Sequence, residues 1–222
     1  MKVGIAPHAN RGEAMADTGI DVEAPPLNTH VRLDALLSRI IEEPERRQQI
    51  SEEIERDFTQ RRAVLVLDMS GFSRTTQLHG VVTFLLMIHQ MRLLAAPTIR
   101  AFGGKLVKAE ADNLFCLFES VDAAVRASRE IITRLNTVNV LLPGDRRLYA
   151  SIGVGCGDIL VLEGEDLFGD EVNLASKLGE DVAQGGQILL TEAARAELDP
   201  AAATTLERVS ISGLVLQYHA MA

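Results

Sequence analysis

The stretch Asp166–Leu178, DLFGDEVNLASKL, carries the most information about the fold of this chain. If a helix begins at its glycine, Asn173 and Lys177 lie four residues apart on one side, and Leu174 and Leu178 form an apolar row beside them. An amphipathic helix with a solvated polar face explains this pattern equally well. An asparagine in mid-helix lowers helical propensity, however, and usually has a hydrogen-bonding reason to be there. Read with the upstream segments, the stretch predicts a functional polar face.

The composition of the 222 residues fits one domain of ordinary size with an appendage, and 47% hydrophobic residues are enough for a core. The longest uninterrupted apolar run falls within Val81–Ile88, far short of the ~18 residues that a membrane span requires, so we predict no membrane span. No secretory leader opens the chain, and Cys116 and Cys156 lie inside apolar runs rather than in a spaced framework. We therefore expect buried, reduced thiols in a cytoplasmic protein.

The formal net charge of −9 argues against a nucleic-acid partner, because proteins that bind nucleic acids usually present a basic face to the phosphates. An anionic small substrate remains compatible with this charge. It would need a local group of cations or bound metal ions, since the field of the whole protein repels it.

The chain divides into a tail, an arm and a main domain. Residues 1–30 collect Gly, Pro, Asn and Asp without a sustained period, and we expect a mobile tail. Residues 31–60 show helical spacing broken at Pro44 and predict a helical arm. Its narrow apolar stripe suits packing against a partner helix and docking on its own domain about equally. We interpret the arm as a dimerisation element or as the contact for a regulatory partner.

The remaining residues, 61–222, alternate strand-like and helix-like segments, and some neighbouring strands are close enough in sequence to form hairpins. This pattern predicts an α+β fold, an α/β sandwich with a mixed, mostly antiparallel sheet and helices packed on it. We expect strands 148–156 and 159–162 to flank a turn at Gly157 and Asp158. The other predicted strands are 63–67, 105–108, 114–118, 187–190, 206–211 and 214–218, and the predicted helices are 72–101, 122–136, one after 169 and one from 192.

Two aspartates are placed to hold a metal ion. Asp68 ends the apolar run VLVLD just before a predicted helix, where a carboxylate can hold a divalent cation while the helix amides receive phosphate oxygens. Capping of the helix is the simpler alternative. Asp112 lies at a predicted hairpin tip, a position that turn geometry alone also favours. If the sheet brings the two together, the carboxylates repel unless a cation lies between them, and magnesium suits such a site because water and substrate phosphate supply its other ligands.

Taken together, the segments LDMSGF, GGKLVKAEAD and DLFGDEVNLASKL resemble the class III nucleotidyl cyclase catalytic domain, the fold of adenylyl and guanylyl cyclases. The resemblance covers roughly residues 61–220 and implies a ferredoxin-like βαββαβ core. By position, Asp68, Asp112 and the backbone carbonyl of Met69 match the family's metal ligands, which implies two Mg²⁺ or Mn²⁺ ions per site. The loop that meets the terminal phosphates in the family matches Ser70, Gly71 and Phe72.

The resemblance also implies how the nucleotide is recognised. Lys108 and Asp166 match the pair that reads the base in adenylyl cyclases, Asn173 matches the asparagine that orients the ribose, and Lys177 stands where the family usually has an arginine that stabilises the transition state. Adenine offers an acceptor at N1 and a donor amine at N6, which suit an ammonium and a carboxylate, so the pair implies ATP. A solubilising lysine on a strand edge is the simpler interpretation of Lys108.

In this family the metal aspartates come from one subunit and the other site residues from its partner. The resemblance therefore implies a homodimer with two sites at the subunit interface. It implies attack of the ribose 3′-hydroxyl of ATP on the α-phosphate, assisted by two metal ions, to give 3′,5′-cyclic AMP and pyrophosphate.

The sequence departs from the family pattern at several positions. Lys177 lacks the planar guanidinium group of the arginine that the family usually has at this position. We therefore expect lower turnover rather than none. Ala111 replaces the glycine usual before the second aspartate, so we expect the turn to avoid positive φ there and Asn113 to adopt it instead. Glu110 replaces an apolar residue and adds a carboxylate near the metal or a partner for Lys108.

The sequence also lacks some of the positively charged residues with which the family binds the triphosphate. No lysine or arginine follows Arg208, although many members have a lysine in the last two strands, and Ser151 stands where some have an arginine. Candidate substitutes are Arg74, Lys105, Arg146 and Arg147. These losses leave two alternatives, a degenerate cyclase-like domain that binds nucleotide or a partner without turnover, and a cyclase for another nucleoside triphosphate. Retention of both aspartates together with Asn173 favours an enzyme, because an interaction module has no need of a converging metal pair.

Overall fold

The computed structural model describes residues 28–70, 72–211 and 214–222. Most of the tail predicted for residues 1–30 therefore lies outside the described residues. Gly71 and the side chains of Phe72 and Arg74 lie outside them as well.

Eight strands and six α-helices make up the described chain. The strands are β1 (Thr59–Met69), β2 (Lys105–Glu110), β3 (Asn113–Phe118), β4 (Ala150–Leu162), β5 (Asp166–Phe168), β6 (Ile188–Thr191), β7 (Thr204–Ile211) and β8 (Leu214–Met221). The helices are α1 (His30–Glu42), α2 (Arg47–Phe58), α3 (Phe72–Ala101), α4 (Val121–Asn139), α5 (Asp170–Lys177) and α6 (Glu192–Glu197). Helix α3 is kinked at Gly80, and a π-helical turn at Leu178–Val182 extends α5.

All eight strands belong to one mixed sheet. Its order is β2-β3-β1-β4-β6-β8-β7, and β5 pairs with β4 outside this path. Only the pairing of β4 with β6 is parallel among the described strands. The first four strands in this order, with α3 and α4, form a βαββαβ unit. The predicted α+β fold with a ferredoxin-like core is confirmed.

The centre of β1 shows why both faces of the sheet are covered. Residues 63–67, Ala-Val-Leu-Val-Leu, are 0% exposed, and such a continuous apolar run is typical of a strand covered on two sides. Alternate side chains join a cluster with α3 and α4, while the others join one that includes Val172 and Ala175 of α5. Helix α5, which carries the polar row, therefore packs on the face opposite α3 and α4.

The turn predicted at Gly157 and Asp158 is wrong, because β4 runs without interruption over Ala150–Leu162. Its pairing with β1 continues through both residues. A glycine followed by an aspartate usually marks a turn, but this glycine makes room for a neighbour. A Cβ atom at Gly157 would lie 2.8 Å from Cγ of Glu171, a residue of α5.

The arm consists of α1 and α2, which pack against each other and against the end of β4. Its buried apolar residues form one cluster, Leu33, Leu36, Ile50, Ile54, Phe58 and Leu162. Arg32 of α1 forms ion pairs with Asp57 and, at 3.6 Å, with Glu53 of α2. The main apolar face of the arm thus lies against its own domain, and a role of the arm in dimerisation or regulation stays a prediction.

One helical segment of the described chain, Gly80–Ala101, is long and apolar enough to cross a membrane by length and composition alone. A core helix of a soluble protein passes the same test, although only 28% of this segment's most apolar window is buried. The helix itself was predicted, and its uninterrupted apolar run is short because polar residues such as His89 and Arg92 interrupt it. The absence of a membrane span stays a prediction. The exposed large side chains of the segment are Val81, Val82, Leu85, Leu86 and Leu93.

Candidate active site

Asp68 and Asp112 converge at one end of the sheet. Asp68 is the second-last residue of β1, and Asp112 lies in the turn that joins β3, the neighbour of β1, to β2. Burial, together with the charges of Asp112, Glu180 and Asp181, raises the pKa of Asp68 to about 7, against the opposing hydrogen bond from the backbone of Met69. The structure therefore brings the two predicted metal-binding carboxylates together, in surroundings that disfavour the ionisation of Asp68.

The donor set at this end of the sheet fits a hard divalent cation. In the described parts of the chain, no group of three or more His, Cys, Asp or Glu side chains could hold a metal ion by itself. Mg²⁺ is commonly held by only one or two carboxylates, with water and substrate phosphates as its remaining ligands. Asp68 and Asp112 match that pattern, and a cation between them would relieve the repulsion that raises the pKa of Asp68.

Replacing Asp68 by asparagine is expected to stabilise the metal-free protein at neutral pH. The folded-state pKa lies above the unfolded value of 3.8, so ionisation of Asp68 destabilises the fold increasingly as pH rises from about 4 to about 7. We expect Asp68→Asn to raise Tm by about 2–4 °C at pH 8, or about 1 kcal/mol, and to have little effect at pH 4. Thermal unfolding in EDTA at both pH values measures this, with exposed Asp34→Asn as the control. An equal or lower Tm at pH 8 would contradict it.

The turn that carries Asp112 contains the one correction to the predicted site geometry. Ala111 adopts φ +46°, and it is the only non-glycine residue with positive φ in the described ranges. We expected Ala111 to avoid this conformation and Asn113 to adopt it. Glu110 pairs with Asn113, which leaves a two-residue connection, and the favoured two-residue hairpin turns need positive φ at the first central position. Hairpin geometry prevails although alanine is disfavoured there by about 1–2 kcal/mol.

The structure brings Lys108 and Asp166 into contact. Lys108 Nζ lies 2.8 Å from Asp166 Oδ1 and 3.1 Å from Glu110 Oε1, and 4.6 Å from the centre of the Phe115 ring. Burial lowers the pKa of Lys108, but its hydrogen bonds to Asp166 and Glu110 outweigh burial and raise it. Only 20% of the Lys108 side chain is exposed, which disfavours a merely solubilising lysine. Of the two roles considered for Glu110, the structure shows the contact with Lys108.

Helix α5 presents the polar row as predicted from its spacing. Asn173 is exposed and Lys177 is half-buried, whereas Val172 and Ala175 face the sheet. The helix lies directly on β4, since a Cβ atom at Gly153 would lie 2.0 Å from the carbonyl oxygen of Ala175. This close approach requires glycine and fixes the height of the polar row above the sheet.

Glu171 ties α5 to two strands. Its Oε2 accepts hydrogen bonds from the Cys156 amide at 2.9 Å and from the Thr191 hydroxyl at 2.6 Å. Because Glu171 is two residues from Asn173, these bonds help to set the position of the polar row. The sequence analysis missed this role, although the alternating glycines of β4, Gly153, Gly155 and Gly157, signal a close neighbour.

The predicted phosphate loop is only partly within the described residues. The Ser70 amide donates to the Tyr149 carbonyl at 3.0 Å, and its hydroxyl shares a short hydrogen bond with Ser151. The amide of Ser70 is therefore already used within the chain. Met69 pairs with Ala150 at the end of β1, beside Asp68.

The candidate cations for the triphosphate lie at opposite ends of the sheet. Lys105 is the first residue of β2 and pairs with Glu163, whereas Asp112 lies two residues beyond the other end of that strand, roughly 20 Å away. Arg146 and Arg147 are exposed just before β4, whose first residues pair with the end of β1 beside Asp68. Within one chain, Arg146 and Arg147 are therefore better placed than Lys105.

The sequence analysis also missed two carboxylates beside the metal site. Glu180 and Asp181 lie in the π-helical turn that continues α5, and their charges contribute to the raised pKa of Asp68. Burial, followed by the charges of Asp181 and Asp112, raises the pKa of Glu180 itself. Glu180 and Asp181 follow the polar row in the sequence, and nothing in the sequence indicated that the end of this helix lies against β1. In the structure, Gly179 approaches the Val66 carbonyl of β1.

Sequence comparison shows that part of the chain is similar to a protein named as a putative cyclase. No protein-family model matches it. The protein named "Putative adenylate cyclase 3" of Rhizobium meliloti is 30% identical over 130 residues, which are 59% of this chain and 22% of that protein. An uncharacterized protein of Mycobacterium tuberculosis is 31% identical over 124 residues, or 55% of this chain and 30% of that protein. The chain thus spans less than a third of these relatives.

Solved structures with the same fold include cyclases of both base specificities. The guanylyl cyclase Cya2 matches with a TM-score of 0.64 at 18% identity, covering 74% of this chain and 92% of its own. An adenylate/guanylate cyclase/hydrolase from Silicibacter pomeroyi matches with 0.61 at 24% identity, over 73% and 95%. The guanylate cyclase domain of RhGC from Catenaria anguillulae, solved with GTP, matches with 0.62 at 15% identity, over 74% and 96%. The resemblance to the class III nucleotidyl cyclase catalytic domain is confirmed at the level of the fold.

Proposed function

We propose that this chain, which has the fold of the class III nucleotidyl cyclase catalytic domain, is an adenylyl cyclase that converts ATP to 3′,5′-cyclic AMP and pyrophosphate. The observation that carries the proposal is the contact between Lys108 and Asp166, 2.8 Å apart, in a chain whose Asp68 and Asp112 also converge. An ammonium beside a carboxylate matches the acceptor N1 and the donor amine of adenine. The guanylyl cyclases among the solved structures support the fold but not this choice of base.

In this proposal, some of the site residues bind the metal ions and the nucleotide, and others stabilise the charge that develops during the reaction. Asp68, Asp112 and the Met69 carbonyl would hold Mg²⁺ or Mn²⁺, which when bound favours ionisation of the ribose 3′-hydroxyl and neutralises the triphosphate. Asn173, exposed on α5, would fix the ribose by hydrogen bonding so that its 3′-oxygen faces the α-phosphorus. Lys177, one turn later, would place a positive charge near the developing charge on the α-phosphate.

The site would be shared across a homodimer, with the aspartates from one subunit and the α5 residues from the other. Helix α5 supports this arrangement, because its polar row faces away from its own sheet and Asn173 is exposed. The arm of α1 and α2 is proposed as the regulatory contact. Buried, free Cys116 and Cys156 support a cytoplasmic location.

A degenerate domain that binds nucleotide without turnover is the second candidate. The half-buried lysine at position 177 favours it, since a lysine cannot grip a phosphate at two points. Incubation of the purified protein with Mg²⁺ or Mn²⁺ and each of ATP, GTP, CTP and UTP separates the two candidates. Cyclic AMP as the main product supports the cyclase, a different cyclic nucleotide overturns the assignment of the base, and nucleotide binding without product supports the degenerate domain.

A further inference from the structure

Arg92 connects helix α3 to the turn that carries Asp112. It lies on α3 beside the buried Met91, yet its Nη2 donates a hydrogen bond of 2.6 Å to the carbonyl oxygen of Ala111. That oxygen belongs to the peptide group joining Ala111 to Asp112. The guanidinium therefore acts on the orientation of the backbone immediately before the aspartate.

Unmet hydrogen-bonding groups concentrate at the same turn. In the described residues, the buried side-chain polar atoms without a hydrogen-bond partner are Arg92 Nε and Asn113 Oδ1, a donor and an acceptor. Arg92 donates to the carbonyl of the strained Ala111, and Asn113 follows Ala111 by two residues in the same turn. Buried polar groups are rarely left unpaired, and backbone strain persists only where surrounding contacts enforce it. Because unpaired polar groups and backbone strain both cost free energy, their presence at one turn suggests that this turn has a function.

We propose that Arg92 is a positioning residue that holds Ala111 at positive φ and so fixes Asp112 for metal binding. Arg92 is needed because Ala111 stands where the family usually has a glycine. Glycine adopts positive φ freely, whereas alanine tends to relax to negative φ and would carry Asp112 with it. A hydrogen bond from a charged guanidinium is stronger than one between neutral groups. The planar, rigid guanidinium of Arg92 therefore resists the relaxation of Ala111 to negative φ. Arginine at position 92 and alanine at position 111 therefore act as a pair.

This inference rests on the proposed function only in taking Asp112 as a metal ligand, and the test does not require turnover. Arg92→Met keeps the apolar stem of the side chain and removes every donor. We expect it to weaken Mn²⁺ binding about tenfold, the lower range for loss of a group that orients a metal ligand. Ala111→Gly alone should change Mn²⁺ affinity less than about twofold, and adding it to Arg92→Met should restore most of the loss, because glycine needs no restraint.

Mn²⁺ titration followed by electron paramagnetic resonance, with and without a non-hydrolysable ATP analogue, gives the affinities. Hydrogen exchange at the amides of Asp112 and Asn113 gives a metal-free measure of the turn, which should lose protection in Arg92→Met and regain it in the double variant. Arg100→Met, an exposed arginine on the same helix, is the matched control. Arg92→Lys, which keeps the charge without the fork, should be intermediate.

Two results would overturn the proposal. Unchanged Mn²⁺ affinity and amide protection in a folded Arg92→Met protein would show that Arg92 does not hold the turn. An equal loss with alanine or glycine at position 111 would show that the two residues act independently.

If Asp68→Ala abolishes Mn²⁺ binding while Arg92→Met leaves it intact, the proposed metal site stands and the role of Arg92 falls. If Arg92→Met weakens Mn²⁺ binding in a protein without turnover, the role of Arg92 stands and the cyclase assignment falls.

Discussion

Replacement of Asp68 by alanine is expected to lower the rate of product formation about a thousandfold or more while leaving the fold and the oligomeric state unchanged. Metal-derived charge stabilisation is worth several kcal/mol, and a loss of about 4 kcal/mol corresponds to a factor of about 10³ in rate. Removal of Asp68 gives up its hydrogen bond from the Met69 backbone, but it also removes the repulsion from the neighbouring carboxylates Asp112 and Glu180, which raise its pKa. The variant should therefore fold, and its loss of activity reports on metal binding.

Asp122→Ala provides the matched control for this variant. Asp122 is a carboxylate on α4 whose side chain is 63% exposed, remote from the turn between β2 and β3. Turnover rates at saturating Mn²⁺ and ATP, with the dimer verified by light scattering, give the comparison. Retention of more than a tenth of the activity by Asp68→Ala would mean that this carboxylate does not hold the catalytic metal.

Replacement of Lys108 by methionine is expected to lower kcat/KM for ATP about a hundredfold and to remove most of the preference for ATP over GTP. A hydrogen bond to a charged group contributes about 1.5–3 kcal/mol, and loss of the upper value corresponds to a factor of about 10². Methionine keeps the apolar stem against Phe115 but leaves Asp166 and Glu110 without their cation. The ammonium that suits adenine N1 is then lost, and with it the discrimination.

Lys105→Met is the control for base recognition, because Lys105 lies on the same strand and pairs with the distant Glu163. It should leave the ratio of the two kcat/KM values unchanged. The experiment compares ATP and GTP for the three proteins under identical metal concentrations. A Lys108→Met protein that keeps its preference for ATP would show that other residues read the base.

Much of the fold could be predicted from local patterns. The apolar run at 63–67 indicated a strand, which the structure shows as the centre of β1, and the row of Asn173 and Lys177 indicated a helix with a polar face. These patterns succeed because burial dictates the periodicity of apolar residues. The contact between Lys108 and Asp166 was predicted from a resemblance, since two residues so far apart in sequence meet only through the topology of the sheet.

The failures have physical causes as well. Gly157 followed by Asp158 indicated a turn, but the glycine is there for the close approach of Glu171 and the strand continues through it. Ala111 was expected to avoid positive φ because its own preference was considered without the two-residue connection between Glu110 and Asn113, which requires that conformation. The first error arises from a distant side chain that no local pattern encodes. The approach of Glu180 to Asp68 was missed for the same reason.

The most direct test of a cyclase with shared sites is complementation between two inactive variants. Asp68→Ala removes a metal ligand of one subunit, and Asn173→Ala removes the ribose contact that we assign to the other. Each homodimer should be inactive, but a mixed dimer contains one site with both residues intact. Random exchange of subunits makes half of the dimers mixed, so the equimolar mixture should form cyclic AMP from ATP at about a quarter of the wild-type rate. An inactive mixture, in which mixed dimers are demonstrated by mass spectrometry, would contradict a site shared across the subunit interface.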